Sequence, residues 1–507
     1  MSLFGEVLYP YQQVAASRIN ESRRILLADQ PGLGKTLEVL AGLELAGLFG
    51  RPSVILIATP IINAQTTWRD TVERFVKPRY PDLSLIDVSK GTAGQKAKQF
   101  DRVYPDGPVI VLANHNALDM TSKGVRVAQL VTPEYDAVVI DESHMVLPVS
   151  NPRKLTNFWK GLSKVRMNSD CIRVAISGTP DRGKLDNRWG TWLFLNPGLV
   201  SDKWSWLEEN FWMSEQRVSR SRTVRVPAGL KSERAWLERD KQWMIRRTKS
   251  EVLPQLPPKR YVDVEVELGR EQRASYALRQ LESQRKIYDA KIEERDTGEA
   301  MVFALRARQL STCSWVEDGE GKTVPVVGGD SAKLEWLLEW FSERGFVEQD
   351  SFADNSAKVV IVSSFSKVLH WLKAELNARG IACDVLDGGA SDKSRANIQR
   401  SFQEGDLRVV LLSGSMGVGI NLDAADDLIM LDSPYDPDRV EQIEDRVHRA
   451  SNMHHVTIWN VIAVDTIDQA IAEKVSKRYK VTRELLDGAR GVEFGRDILA
   501  RLDRDSK

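Results

Sequence analysis

Short apolar segments rich in β-branched residues alternate with amphipathic segments along most of the 507-residue chain. Such runs, bounded by Gly, Pro, Asp or Asn, are typical of buried strands, and the segments between them have helical periodicity. In the first half, the predicted strands are residues 24–28, 54–58, 109–113, 137–140 and 174–177. A second set comprises residues 358–362, 383–386, 409–412, 427–431 and 456–461. Strands that alternate with helices favour a parallel sheet, so the pattern predicts two α/β units in tandem.

The region between the two sets has a different pattern. Seven of the 14 tryptophans lie between Trp189 and Trp243, and residues 216–249 hold eleven Lys or Arg against three Asp or Glu. We expect these tryptophans to form the core of a basic helical protrusion at about residues 200–255. Residues 268–301 then predict a long charged helix.

Composition excludes several classes of protein. Hydrophobic residues make up 42% of the chain and charged residues 28%, which is the ordinary balance of a globular protein. The 71 Lys and Arg equal the 71 Asp and Glu in number, so any contact with a polyanion must come from a local basic face. Three widely separated cysteines favour a reducing, intracellular compartment. We find no membrane-spanning segment or signal peptide in the pattern.

The segment D-Q-P-G-L-G-K-T, residues 29–36, follows a predicted strand and precedes a helical pattern, which is the context of a P-loop. The loop around Gly32 and Gly34 would surround the phosphates of ATP with backbone N–H groups. Lys35 would supply a positive charge to the β- and γ-phosphates, and the Thr36 hydroxyl would bind Mg²⁺.

The first position of this loop departs from the usual pattern, because Asp29 stands where a glycine is expected. The second half of the site follows the predicted strand 135–140, which ends in Asp141 and Glu142. A carboxylate at the end of such a strand faces the phosphates, so Asp141 is the predicted Mg²⁺ ligand. Glu142 is the predicted residue that orients and activates the attacking water.

With the box D-E-S-H at residues 141–144, the chain resembles the superfamily-two helicases. Further boxes of that family occur in the expected order along the chain, at residues 8–12, 58–60, 177–180 and 413–426. Two segments resemble the SWI/SNF-type DNA translocases more specifically: M-I-R-R-T-K at residues 244–249 with L-P-P-K at 256–259, and Q-I-E-D-R-V-H-R at 442–449. The chain looks like a minimal bacterial or phage-like member of that group.

The resemblance implies an α/β fold of two tandem RecA-like lobes with parallel sheets, plus helical protrusions and a C-terminal helical brace. We expect lobe 1 at residues 1–255 and lobe 2 at residues 256–507, with a second protrusion at about residues 265–330. ATP and Mg²⁺ are the implied cofactors. The implied nucleotide contacts beyond the P-loop are Gln12, Gly419 and Asp426, with Arg449 as the arginine finger and Arg446 as its phosphate-contacting neighbour.

The resemblance also implies a nucleic-acid track, for which double-stranded or branched DNA is expected. The predicted DNA contacts are Pro60, Asn114, His115, Ser177, Thr179, Ser415 and Gly417. The leading hypothesis is a motor that hydrolyses ATP to translocate along duplex DNA and remodel DNA or protein–DNA complexes. A strand-separating or branch-migrating helicase and an ATP-gated DNA clamp are the alternatives, and RNA stays open as the track. We expect a cytoplasmic monomer with an unidentified protein partner.

Overall fold

The computed structural model describes residues 3–100, 107–149, 154–181, 184–200, 202–219, 222–292, 299–317, 323–346, 357–414, 420–434, 437–449 and 455–473. The chain forms two compact units, and the boundary between them lies between Val252 and Leu253. Each unit contains its own parallel sheet, so the predicted α/β fold with two sheets in tandem is confirmed. The predicted lobe boundary at residues 255 and 256 stays a prediction.

The first unit is built on a seven-stranded sheet in which every neighbouring pair is parallel, in the order β11-β1-β8-β7-β2-β4-β3. Its strands are β1 Arg24–Leu27, β2 Ser53–Thr59, β3 Ser84–Asp87, β4 Pro108–Asn114, β7 Glu134–Ile140, β8 Arg166–Ile176 and β11 Met244–Ile245. Two short strands, β5 Met120–Thr121 and β6 Gly124–Val125, form a separate ribbon.

Both faces of this sheet are covered. Along β2, Leu56 belongs to one buried cluster, whereas Ile55 and Ile57 belong to the other. Successive side chains of a strand point to opposite faces, so a strand buried on both faces is continuously apolar. This is why the strands of this sheet could be predicted as uninterrupted apolar runs.

In the sequence, helices α1 and α2 of the first unit precede β1, α11 follows β11, and the others lie between strands. They are α1 Leu3–Glu6, α2 Pro10–Ser22, α3 Lys35–Leu45, α4 Ile61–Asn63, α5 Arg69–Thr71, α6 Ala93–Phe100, α7 Asn157–Leu162, α8 Arg188–Leu195, α9 Lys203–Asn210, α10 Glu233–Trp243 and α11 Lys249–Val252. A wider, π-helical turn at Ala64–Trp68 joins α4 to α5, and a second π-helical turn at Val72–Val76 follows α5. Short 3₁₀ turns occur at His115–Leu118, Ala128–Val131, Ser143–Met145, Leu185–Asn187 and Pro197–Leu199.

The prediction of a helical protrusion at about residues 200–255 is wrong in its middle part. Between α9 and α10 lies an antiparallel hairpin of β9 Phe211–Ser219 and β10 Arg222–Leu230. The sequence T-V-R-V in β10 alternates polar and β-branched residues, which favours a strand over a helix. The rings of Trp206, Phe211 and Trp236 pack together as its buried core.

The second unit has a six-stranded parallel sheet in the order β12-β19-β18-β15-β17-β16. Its strands are β12 Arg260–Val266, β15 Val359–Ser363, β16 Cys383–Leu386, β17 Val409–Ser413, β18 Asp427–Met430 and β19 Thr457–Ala463. The helices are α12 Arg270–Ile292, α13 Glu299–Thr312, α14 Ala332–Glu343, α15 Ser366–Asn377, α16 Asp392–Glu404 and α17 Pro437–Val447. A small hairpin joins β13 Trp315–Glu317 to β14 Thr323–Pro325.

The long charged helix predicted at residues 268–301 corresponds to α12 and the beginning of α13. The predicted C-terminal brace falls largely outside the described residues, which end at Ile471-Ala472-Glu473. Among the helices that the structure describes, none is both long enough and apolar enough to cross a membrane. The three cysteines are buried free thiols.

Candidate nucleotide site

The loop between β1 and α3 carries the predicted phosphate-binding residues. Gly34 precedes α3 with φ +85°, a left-handed conformation that residues with a Cβ rarely adopt. A Cβ at this position would also lie 2.3 Å from Nε2 of Gln12, so the loop admits only glycine here. The loop therefore ends at the N-terminus of an 11-residue helix, where backbone N–H groups and the helix dipole favour an anion.

The side chain of Lys35 folds back across this loop. Its Nζ donates hydrogen bonds to the carbonyl oxygens of Asp29, at 2.7 Å, and Gln30, at 3.1 Å. The ammonium group thus lies over the loop that the phosphates would occupy, bound only to neutral acceptors in these two contacts. Thr36 follows in the first helical turn and is partly exposed.

Gln12 contacts the P-loop directly. Its Nε2 donates to the carbonyl oxygen of Leu33 at 2.9 Å, and its Oε1 accepts the backbone N–H of Tyr9 at 3.0 Å. The Tyr11 hydroxyl donates to the same Leu33 oxygen at 3.0 Å. The helix α2 is therefore tied to the glycine loop, and the predicted contact of Gln12 with adenine stays a prediction.

Asp29, the residue that departs from the usual P-loop pattern, is fully buried and forms an ion pair with Arg247. Arg247 also donates to Oε1 of the buried Glu38, at 2.9 Å, and to the carbonyl oxygen of Tyr11. Its guanidinium lies 5.1 Å from the centre of the Tyr11 ring. One arginine therefore joins the P-loop, the helix that follows it and α2. We call Asp29, Glu38 and Arg247 the P-loop ion cluster.

Burial shapes the charges in this cluster. It raises the pKa of Glu38 well above the ordinary carboxyl range, and the nearby charge of Asp29 acts in the same direction, whereas Arg247 opposes both. Burial alone would lower the pKa of Arg247, but its bond to Asp29 and the charge of Asp29 raise that pKa above the ordinary value. The arginine is thus held charged beside two buried carboxyl groups.

The segment around Arg247 borders the whole loop. Arg246 donates to the carbonyl oxygens of Ala28, at 2.7 Å, and Gly178, at 2.6 Å. Gln30 donates its backbone N–H to Arg247 O, at 3.1 Å, and its side-chain oxygen accepts from the Lys249 backbone at 2.7 Å. The segment that leads to the end of the first unit is therefore part of the wall of the P-loop.

Asp141 and Glu142 follow β7, which lies two strands from β1 in the sheet. Glu142 has φ 46°, an uncommon left-handed conformation for a residue other than glycine, which costs about 1–3 kcal/mol. Its Oε2 lies 3.3 Å from Nδ1 of His144. Oxygen donors such as Asp141 and Thr36 fit Mg²⁺, which is commonly held by one or two carboxylates together with substrate phosphates.

The next motif is connected to this acidic pair through a histidine. Nδ1 of His144 lies 2.8 Å from the Ser177 hydroxyl oxygen, which also accepts the Thr179 backbone N–H at 3.1 Å. Ser177 comes directly after β8, the strand between β1 and β7. The box at residues 177–180 thus contacts the D-E-S-H box at residues 141–144 through side chains.

The predicted DNA contacts of the first unit occupy two kinds of position. Pro60 is partly exposed, whereas Asn114, His115, Ser177 and Thr179 are buried. Burial lowers the pKa of His115, and Nε2 donates to the Asp141 carbonyl oxygen at 2.8 Å. The side chains of His115 and Ser177 form hydrogen bonds within the unit, whereas Oδ1 of Asn114 and Oγ1 of Thr179 are buried without a hydrogen-bond partner among the described residues. Direct contact with DNA stays a prediction for all five.

In the second unit, the predicted finger Arg449 and its neighbour Arg446 lie at the C-terminal end of α17. Arg446 is in the last turn of the helix, and Arg449 follows it. Arg446 is buried, and Arg449 is partly exposed. Nη2 of Arg449 donates to the Ile420 carbonyl oxygen at 3.2 Å, and Arg446 approaches the same oxygen at 3.5 Å. Burial lowers the pKa of Arg449, whereas Asp423 and Asp445 oppose that change.

The other predicted residues of the second unit are less informative. The Asp426 carboxylate accepts the backbone N–H of Lys358 at 2.8 Å, a contact that fixes the beginning of β15. Its predicted role in nucleotide binding stays a prediction. Ser415, Gly417 and Gly419 lie outside the described residues.

Sequence reasoning missed two sets of residues at this site. The first is the pairing of Arg247, which lies in the M-I-R-R-T-K segment, with Asp29, the residue that departs from the P-loop pattern. The second comprises Thr59, Asn63 and Trp68, which contact the Asp141 carboxylate. A polar residue directly after the apolar run of β2 was the available signal for Thr59.

The amino-acid sequence matches the SNF2-related domain over residues 12–314 and the helicase conserved C-terminal domain over residues 332–451. An uncharacterized ATP-dependent helicase of Mycoplasma pneumoniae is 25% identical over 91% of this chain. The SWI/SNF-related matrix-associated actin-dependent regulator of chromatin subfamily A containing DEAD/H box 1 homolog of Caenorhabditis elegans is 23% identical over 99% of it. The chain spans 40% of the first relative's length and 54% of the second's.

One solved structure similar to this chain is the SWI2/SNF2 ATPase core of Sulfolobus solfataricus in complex with double-stranded DNA. It is 23% identical in sequence, the similarity covers 95% of this chain and 93% of that one, and the TM-score is 0.41.

The P-loop ion cluster yields a prediction about stability. Arg247→Met keeps the length of the side chain but leaves Asp29 and Glu38 buried without their cation. Removal of one partner from a buried ion pair typically lowers the free energy of unfolding by about 3–5 kcal/mol. We therefore expect the urea midpoint of the first unit to fall markedly, as measured by circular dichroism.

Arg225→Met is the matched control, because Arg225 pairs with Glu208 at 2.8 Å where both side chains are nearly half exposed. Exposed pairs contribute about 0–1 kcal/mol, so this variant should unfold close to the wild type. Equal urea midpoints for the two variants would contradict the structural role of the cluster.

Proposed function

The chain belongs to the SNF2-related domain family, and we propose that it is an ATP-dependent motor that translocates along double-stranded DNA. The observation that supports this most strongly is the shared edge of the first sheet. The P-loop, the D-E-S-H box and the S-G-T-P motif follow three adjacent strands, β1, β7 and β8. The match to the helicase conserved C-terminal domain supports a second ATPase lobe in the same chain.

In this proposal, Lys35 releases the two loop carbonyl groups and binds the β- and γ-phosphates of ATP. Mg²⁺, held by Thr36 and Asp141, neutralises charge on the phosphates when it is bound. Glu142 accepts a proton from the attacking water, and His144, 3.3 Å away, orients the Glu142 carboxylate. Gln12 reads the adenine base.

Lobe 2 contributes the second half of the reaction. We assign Arg449 as the finger that meets the charge developing on the γ-phosphoryl group, with Arg446 beside it. A guanidinium suits this role because it stays charged and donates several hydrogen bonds in a fixed plane. Since the two groups of residues lie in different units, hydrolysis requires the units to approach one another. If each unit also grips DNA, repeated approach and separation would move the motor along it.

Several observations support DNA as the track. The relatives of this chain include a protein named as an ATP-dependent helicase and one named as a SWI/SNF-related regulator of chromatin. Residues 216–249 supply the local excess of Lys and Arg that a neutral chain needs for a polyanion. We propose Pro60, the partly exposed residue after β2, as a contact with the DNA backbone.

The name of the Mycoplasma pneumoniae relative favours a second candidate, a helicase that separates strands or migrates branches. We further propose that the protein is a monomer and that it is cytoplasmic. The bacterial source of that relative supports the compartment.

ATP hydrolysis measured with single-stranded, duplex, forked and four-way DNA, and with RNA, tests the proposed function. We expect duplex DNA to stimulate turnover without sequence preference, and its affinity to fall with salt at a log–log slope of about −0.9 per phosphate neutralised. A triplex-displacement assay should report movement along intact duplex. Release of single strands from forks would instead support the helicase, and an absence of stimulation by every nucleic acid would refute both.

Replacement of Glu142 by Gln tests the assignment of the base. Loss of a general base typically lowers the rate by about 10²–10⁴-fold, whereas ATP binding should persist because Lys35, Thr36 and Asp141 remain. Steady-state turnover and fluorescent-nucleotide affinity measure the two effects. Glu134→Gln, at the exposed beginning of the same strand, is the control and should hydrolyse ATP normally. A Glu142→Gln variant with near-normal turnover would exclude Glu142 as the base.

Replacement of Arg449 by Ala tests the finger. Loss of an arginine finger lowers the rate by about 10³–10⁵-fold in phosphoryl transfer, and we expect the lower end because Arg446 remains. Nucleotide affinity should change little, because lobe 1 carries the phosphate-binding loop. Arg439→Ala, an exposed arginine on α17, is the control. Wild-type DNA-stimulated turnover in the Arg449 variant would identify this residue as an ordinary surface arginine.

A further inference from the structure

The carboxylate of Asp141 is held by an unusual number of donors. Its Oδ2 accepts hydrogen bonds from Thr59 Oγ1 at 2.8 Å, Asn63 Nδ2 at 3.1 Å and Trp68 Nε1 at 3.0 Å. Its Oδ1 accepts the backbone N–H of Glu142 at 2.9 Å. Because a carboxylate has about four lone-pair sites in all, Oδ2 is saturated and Oδ1 retains room for one more partner.

The sheet places the first of these donors. Strand β2 lies beside β7, with Ala58 opposite Ile140, and the Asp141 backbone N–H donates to the Ala58 carbonyl oxygen at 2.8 Å. Thr59 is the next residue along β2, so its hydroxyl lies at the same edge of the sheet as the Asp141 carboxylate.

A local change of helix type places the other two donors. Asn63 and Trp68 are five residues apart, and in an α-helix of 3.6 residues per turn they would point about 140° away from each other. The turn Ala64–Trp68 is instead π-helical, and the Arg69 N–H donates to the Ala64 carbonyl oxygen five residues earlier. A π-turn holds more residues than an α-helical turn, so residues five apart are rotated less far from each other, and both side chains contact Asp141.

All three donors are buried. Thr59 and Trp68 are fully inaccessible, and Asn63 is 4% exposed. Burial of an indole N–H without an acceptor costs free energy, and a bond to a charged carboxylate is stronger than a bond to a neutral acceptor. The arrangement therefore fixes the plane of the Asp141 carboxylate and not only its location.

We infer that Trp68, together with Asn63 and Thr59, is a positioning residue that presents Oδ1 of Asp141 to Mg²⁺. Mg²⁺ demands nearly ideal octahedral geometry, so the orientation of its carboxylate ligand matters as much as its distance. Partners of metal ligands act in this way in other metal sites, where their replacement costs about 10–100-fold in metal affinity. The inference rests on the proposed function, because it takes Asp141 as the ligand.

Trp68 also belongs to a buried apolar cluster, so a test must separate positioning from packing. Trp68→Phe keeps an aromatic ring and removes the N–H donor. The measurement is the binding of a fluorescent ADP analogue, first in EDTA and then across a titration with MgCl₂, with no turnover involved. We expect normal affinity in EDTA and an increase of about 10–100-fold in the Mg²⁺ concentration needed for half of the Mg²⁺-dependent change.

Trp159→Phe is the matched control. Trp159 is also buried in the first unit and donates its indole N–H to the Leu147 carbonyl oxygen at 2.8 Å. This variant loses the same kind of bond away from Asp141, so its Mg²⁺ titration should match that of the wild type. Thr59→Val, which removes one hydroxyl and keeps the side-chain shape, should shift the titration in the same direction as Trp68→Phe.

The outcomes are distinguishable. If Trp68→Phe and Thr59→Val need the same Mg²⁺ concentration as the wild type for half of the Mg²⁺-dependent change, the inference is overturned and the proposed function is left intact. A shift of equal size in Trp159→Phe would also overturn it, because the effect would then follow from packing. A wild-type protein whose nucleotide affinity does not depend on Mg²⁺ would overturn the proposed role of Asp141, and the inference with it. Should Trp68→Phe fail to fold, Thr59→Val decides alone.

Discussion

The parallel pairing of adjacent strands in the first sheet is the constraint on which the candidate site depends. Strands β1, β8, β7, β2 and β4 are consecutive neighbours in that sheet. Because parallel strands end at one edge, the residues that follow them are brought together whatever their separation in sequence. The P-loop, Ser177 and Asp141 follow their strands, and Thr59 and Asn114 are the last residues of theirs. A slip of one residue in any pairing would turn its side chains to the opposite face.

The P-loop ion cluster shows what a buried charge contributes here. Removing charges from water is costly, and a buried ion pair is weak support for overall stability because apolar residues of similar size often do as well. The P-loop ion cluster fixes geometry, because the planar guanidinium of Arg247 contacts Asp29, Glu38 and the Tyr11 backbone at once. A glycine in place of Asp29 would leave the loop without this connection.

Much of the fold could be predicted from the sequence, because strands buried on both faces leave continuous apolar runs. Strands with fewer apolar residues, such as β3 and the hairpin β9–β10, escaped that pattern. The pairing of Arg247 with Asp29 joins residues 218 positions apart, and no local pattern reports such a contact. Trp68 was beyond prediction for another reason. Its contact with Asp141 requires a π-turn, and helical periodicity in sequence assumes α-helical spacing.

Arg247 also connects the P-loop to the end of the first unit. It lies just before Val252, where the chain leaves the first unit, and the carbonyl oxygens of Ile245 and Arg247 accept the backbone N–H groups of Ala28 and Gln30. Lys35 is bound to the Asp29 and Gln30 carbonyl groups of the same loop. These hydrogen bonds connect the loop that Lys35 contacts to residues 245–249, the segment that precedes the end of the first unit.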